Sequence, residues 1–169
     1  MKTLLFVLLC SLCGRGASAQ LSPADEKAIR AVAAHWAANL NDHRFEELRT
    51  YSVPALTMVN IMGTAMHGQA QVIQGYQRLF DTLYQGVAFQ QSDVVVSAVS
   101  PGAAVVNDVA TRGPAPSDSV KTGINPQLGG AQRTMFMVKQ QGRWLLAAAQ
   151  TTQINAKAIK MATAAMTKK

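Results

Sequence analysis

From Val87 to Ile154 every patterned stretch of this chain reads as strand, whereas before it, apart from one short extended run, the apolar residues recur at helical spacing. Two kinds of period kept in separate halves leave few ways to bury both apolar faces. Helices must cover one face of an antiparallel sheet, so the order of elements alone predicts an α+β layer fold. At 169 residues the chain has the length of one domain.

The boundaries follow from local chemistry. Ser22-Pro23-Ala24-Asp25 reads as a helix start, with a hydroxyl cap, proline at the first helical position and a carboxylate in the first turn. Ile29, Val32, Ala33, Trp36, Ala37 and Leu40 then mark one buried face. Asn41-Asp42 stops this helix and caps a short second one from His43 to Tyr51, which Pro54 ends. Ala55 to Met62 reads as a strand, with a turn at Gly63-Thr64 leading into Ala65 to His67. A third helix begins at Gly68, carries Val72, Ile73, Tyr76, Leu79, Phe80 and Leu83 on one stripe, and ends near Gly86.

Two hairpins follow. Val87 to Val99 and Ala103 to Arg112 flank Ser100-Pro101-Gly102, and Gln132 to Gln140 and Arg143 to Ile154 flank the two-residue loop Gln141-Gly142. Between the hairpins, the Gly- and Pro-rich segment 113–131 reads as a solvent loop, a flap over a cavity mouth or an arm towards a partner subunit. Residues 156–169 form a basic tail that adds a frayed helix with Ile159, Ala162 and Met166 on one side.

Residues 1–19 have the form of a cleavable secretory signal: Lys2, an apolar run from Thr3 to Cys13, and Ala17-Ser18-Ala19 before Gln20. The apolar run falls short of the roughly 20 residues a membrane span needs. A lipoprotein anchor competes for Cys10 or Cys13, but each follows Leu where a small residue belongs. The expected product is a secreted or periplasmic protein with its domain at 20–155 and no membrane segment. Removing the leader removes both cysteines, so neither a disulfide nor a thiolate metal site is expected.

Charge then argues against a nucleic-acid partner. Without Lys2 and Arg15 the 16 basic residues fall to 14 against 9 acidic ones, and four of the 14 are Lys157, Lys160, Lys168 and Lys169 in the tail. The body is nearly neutral and has no basic stripe interleaved with aromatics. His35, His43 and His67 lack metal-ligand spacing, and no nucleophile elbow, phosphate-cradling glycine loop or dinucleotide fingerprint occurs, so no metal or cofactor is expected.

Four strings carry a family resemblance: Thr57 to Gly63 (TMVNIMG), Met66 to Ala70 (MHGQA), Gln132 to Lys139 (QRTMFMVK) and Gly142 to Thr152 (GRWLLAAAQTT). Together they resemble the SgcJ/EcaC family of the SnoaL-like, nuclear-transport-factor-2-like superfamily, over about residues 25 to 154. The resemblance implies a curved antiparallel sheet wrapped around helices to form a cone with an internal pocket. It also implies a homodimer formed through the sheet, and a small apolar or polyketide-like molecule as ligand. Relatives of this kind include ketosteroid isomerase, which needs a carboxylate base near the end of the first strand. That position here is Asn60, whose amide cannot take a proton from carbon but can orient a ligand or stabilise the turn at Gly63. The family often has His at the position of Tyr76 and a His-Asn-Thr sequence at Gln150-Thr151-Thr152, so both histidines are replaced.

The candidate ligand-binding residues are therefore Asn60, Tyr76 and Gln150 as polar groups, with Trp36 and Met135 in an apolar wall alongside Phe80 and Val94. Asp108 is the acidic residue of its strand; facing inward, it is the candidate catalytic acid or base, and the alternatives are a solvated outer-face residue or an ion-pair partner of Arg112 or Arg133. Asp93 is the weaker candidate. Three functions follow: small-molecule binding, a cofactor-independent isomerase, cyclase or hydrolase using the strand carboxylate, or a structural dimer module with a filled cone. The leader gives the first testable expectation. Mass spectrometry of the exported protein should find a mature N-terminus at Gln20, and material retaining Met1 outside the cytoplasm would rule the cleavage out.

Overall fold

In the computed structural model, residues 20–113 and 130–166 are described; residues 1–19, where the secretory signal is expected, residues 114–129 of the Gly- and Pro-rich segment and residues 167–169 lie outside the described residues. The elements are α1 (Pro23–Asp42), a 3-10 turn (Phe45–Glu47) running into α2 (Leu48–Tyr51), β1 (Ser52–Val59), β2 (Ala65–His67), α3 (Gln69–Thr82), β3 (Phe89–Ser100), β4 (Ala103–Arg112), β5 (Ala131–Gln140), β6 (Arg143–Gln153) and α4 (Ala156–Met166). One six-stranded sheet runs in the order β2-β1-β6-β5-β4-β3. No helix among the described residues is long and apolar enough to cross a membrane.

The caps form as their chemistry requires. The Ser22 hydroxyl accepts from the Asp25 amide at 3.1 Å, and α1 ends where His43 turns left-handed at φ 56°. Gln141 and Gly142 take φ of 49° and 76°, the paired positive values of the tight hairpin turn.

Two features depart from the sequence reading. Pro54 does not precede the first strand but lies within it, where the β1–β6 register shifts between Ser52 and Thr57 and a proline costs no ladder bond. The sheet is also mixed: β1 lies parallel to β6, while the other neighbours are antiparallel. Helix α3 carries the chain back along the sheet after β2, which adds one reversal and brings β6 home in the direction of β1.

Period two decides which side chains meet the helices. On β4 the even residues Ala104, Val106, Asp108 and Ala110 are buried, and on β5 the odd residues Ala131, Arg133, Met135 and Met137. Two bulges switch this parity within a strand. In β3 the register shifts between Ser92 and Val95, where Asp93 takes φ 53°, so that Phe89 and Gln91 share the concave face with Val94 and Val96. In β6 Phe136 pairs with Ala148 but Met137 with Leu146, so Ala147 is the extra residue. The concave face passes from Trp144 and Leu146 to Ala149, Thr151 and Gln153.

Helices α1 and α3 fill this concavity with Ile29, Val32, Trp36, Leu40, Val72, Ile73, Tyr76, Leu79 and Phe80, packed on Leu56, Met58, Val106, Met135 and Leu146. Aromatic rings join the layers: Trp36 meets Tyr76 edge-on at 4.9 Å, and Phe80 meets Phe45 at 5.1 Å.

The start of α1 is tied to the β5–β6 hairpin through Asp25, which accepts from Lys139 Nζ at 2.6 Å and from Trp144 Nε1 at 2.7 Å. These bonds, with that from Ser22, hold its carboxyl down at about 2 from an ordinary 3.8. A depressed carboxylate contributes stability that is complete above the unfolded value and disappears as pH falls through the folded one. Thermal melts should therefore find Asp25→Asn less stable than the parent at neutral pH, with the gap closing between pH 3.8 and about 2. A gap that persists unchanged to pH 2 would contradict this role.

Candidate functional site

Where the helices stop short of the sheet, a cavity of about 360 Å³ remains, a size suited to a small organic ligand. Its walls are mainly apolar and aromatic: Trp36, Leu40, Leu79, Phe80, Leu83, Tyr84 and Phe89, with Ile61 and Met62 from the turn after β1. The polar lining consists of Asn60, Tyr76, Arg112, Arg133, Thr151 and Gln153. Among the described residues, the lining contains no His, Asp or Glu, and no cluster of three or more such side chains suited to a metal occurs.

Three residues expected from the sequence meet in this cavity. Trp36 comes from α1, Tyr76 from α3 and Asn60 from the end of β1. Asn60 forms the turn foreseen for it. Its Oδ1 accepts from the Met62 and Thr64 amides, each at 3.0 Å, which builds the turn, while the buried side chain faces the cavity. Phe80 also lines the wall.

The other expected residues lie elsewhere. Gln150 is exposed on the convex face, because the bulge at Ala147 hands the inward position to Thr151. Met135 is completely buried in the core without lining the cavity, and Val94 packs beside that core. Asp93 occupies the exposed bulge of β3.

Asp108 is wholly buried on the concave face but does not line the cavity. Its neighbour in the ladder is Arg133, whose Nε donates to Oδ1 at 2.7 Å and whose Nη2 donates to Oδ2 at 2.5 Å. Gln91 Nε2 donates to the same Oδ2 at 2.5 Å. The forked guanidinium and the amide thus occupy both carboxylate oxygens. Arg133 Nη1, on a side chain only 4% exposed, has no hydrogen-bond partner.

Thr151 is opposite Arg133 in the β5–β6 ladder, and its hydroxyl is within hydrogen-bonding reach of the Tyr76 hydroxyl. A polar row therefore crosses the sheet from Gln91 through Asp108 and Arg133 to Thr151, with Tyr76 above its end. Burial pushes Tyr76 up to about 12, against the opposing pull of Thr151 and the Arg133 charge. Burial also raises Tyr84 and Tyr51. Tyr76 is accordingly a neutral hydroxyl that donates a proton in hydrogen bonds rather than a phenolate base.

No protein-family model and no curated protein sequence matches the chain. Solved structures do. A cystatin-like-fold protein from Caulobacter vibrioides superposes with a TM-score of 0.68 at 18% identity, over 80% of this chain and 93% of that one. A nuclear-transport-factor-2-like protein from Pseudomonas putida gives 0.65 at 16%, over 79% and 89%. A hexachlorocyclohexane dehydrochlorinase from Novosphingobium barchaimii gives 0.64 at 9%, over 78% and 88%. These likenesses establish the cystatin-like, nuclear-transport-factor-2-like cone that the sequence resemblance implied.

The chain has three tyrosines, and folding raises all of them. A group raised in this way contributes stability that is complete below the unfolded value and lost as pH rises through the folded one. Ultraviolet titration should show no tyrosinate step at pH 10 in the native protein, and Tyr76→Phe should lessen the loss of stability between pH 10 and about 12. A native step at pH 10 that disappears in Tyr76→Phe would place Tyr76 in water.

Proposed function

We propose that this protein binds a small, largely apolar molecule inside its cone. The observation that carries the reading is the aromatic-walled cavity of about 360 Å³ with its polar groups gathered along one row. The dehydrochlorinase among the structural neighbours, named for a small chlorinated ring, supports a ligand of that size and polarity. The narrower placement in the SgcJ/EcaC group, drawn from the strings quoted above, belongs with this proposal, as does export through the leader at 1–19.

The isomerase, cyclase or hydrolase alternative asks Asp108 to exchange a proton with a substrate. Arg133 and Gln91 engage both its oxygens, so the role assigned to Asp108 is to hold Arg133 in place. A cavity of ligand size likewise disfavours a module with a filled cone. Self-association through the convex face of the sheet is part of the proposal: Val95 and Val99 are more than half exposed there, and Phe136, opposite Val105 in the ladder, is 37% exposed.

The direct test uses N-phenyl-1-naphthylamine, a neutral fluorophore that brightens in apolar surroundings. It should bind saturably with one molecule per chain. Ala131→Phe, which drives a ring from β5 into the cavity, should weaken binding by about tenfold or more while the fold survives a packing cost of about 1–3 kcal/mol. Absence of saturable binding, or binding unaffected by a folded Ala131→Phe variant, would sink the proposal.

A further inference from the structure

The polar row does more than decorate an apolar cavity. Arg133 has donors only, and its two-pronged bond to Asp108 employs Nε and Nη2 while leaving Nη1 buried and unpartnered. A buried donor without an acceptor costs free energy that folding must absorb, so such groups are rare in native proteins. Its neighbours offer little relief. The Asn60 carbonyl oxygen is engaged by two turn amides, and the Asp108 oxygens by Arg133 and Gln91. Tyr76 and Thr151 bond to each other, which leaves one hydroxyl hydrogen of the pair to donate.

Charge points the same way. Arg133 lines the cavity, while its ion-pair partner Asp108 stands behind it and outside the lining. The cationic member of the pair is thus the one that meets the cavity, and to it an ionised acceptor bonds about twice as strongly as a neutral one.

Resting on the binding reading above, we propose that the ligand is an apolar acid whose carboxylate is anchored by Arg133 Nη1, with the Tyr76–Thr151 hydroxyl pair serving its second oxygen. Asp108 is then a positioning residue: it fixes the guanidinium plane so that one amino group faces Asp108 and the other the ligand. Lysine cannot replace this arrangement, since a single ammonium spent on Asp108 keeps no fork for a second carboxylate.

The test compares three probes on the purified protein by calorimetry and by quenching of tryptophan emission: 2-naphthoate, its neutral counterpart 2-acetylnaphthalene, and N-phenyl-1-naphthylamine. Naphthoate should bind at least about tenfold more tightly than the ketone. Arg133→Lys should erase that preference, lowering naphthoate affinity at least about tenfold towards that of the ketone. The paired change Asp108→Leu with Arg133→Met replaces the ion pair by apolar side chains of similar size and so avoids stranding a buried charge. It should lose the preference for the acid as well.

Equal affinity for naphthoate and ketone in the unaltered protein would overturn the proposal, and so would a preference that survives Arg133→Lys. In either case naphthylamine binding would leave the cavity reading standing. Failure of all three probes would remove the cavity reading and the acid anchor together.

Discussion

A guanidinium and a carboxylate lie side by side in the middle of an otherwise apolar sheet face, and the character of the cone depends on that pair. Removing two charges from water costs several kcal/mol per ion, recovered only if both are well bonded. Asp108 meets the condition completely: Arg133 grips it with two nitrogens and Gln91 supplies a third donor. Arg133 does not, because its Nη1 finds no acceptor. The imbalance gives the cavity its chemistry. Were Arg133 apolar, the concave face of β5 would read Ala131, apolar, Met135, Met137, and the polar row would lose its cation.

The helices around this row set the depth of the cavity. Helix α1 delivers Trp36 and α3 delivers Tyr76 from stripes whose remaining members are ordinary core residues. Both stripes were legible in the sequence, as were the Ser22 cap and the Gln141-Gly142 turn, because each rests on local rules of period and backbone angle. Asn60 was legible for a similar reason, since an Asn three residues before Gly63 at a strand end has few roles open to it.

What the sequence did not reveal depends on long-range register. A single extra residue at Ala147 turns Gln150 out to solvent and Thr151 into the cavity, and nothing in the run Leu145-Leu146-Ala147-Ala148-Ala149 marks which alanine is the bulge. The left-handed turn at Asp93 performs the same switch in β3 and brings Gln91 to Asp108. The parallel contact of β1 with β6 was hidden as well, because it joins strands about ninety residues apart. Arg133 did leave a signal. It stands at the same parity as Ala131, Met135 and Met137, and a charge at an inward parity position calls for an opposite charge at the same parity of a neighbouring strand, which on β4 is Asp108.

The shared cone also explains why fold and activity separate here. Its neighbours at 9% to 18% identity preserve a sheet curled over helices, an arrangement that needs only alternating apolar residues and well-placed bulges. In this chain the frame encloses an aromatic-walled space and leaves the reactivity to the few polar residues that line it. A carboxylate free to move a proton would make that space a site of acid–base chemistry. In this chain the buried carboxylate of Asp108 is enclosed by Arg133 and Gln91, Tyr76 is held protonated by burial, and Asn60 is committed to its turn. Groups held in this way keep the capacity to donate hydrogen bonds, and among the described residues Arg133 Nη1 still finds no acceptor for its own.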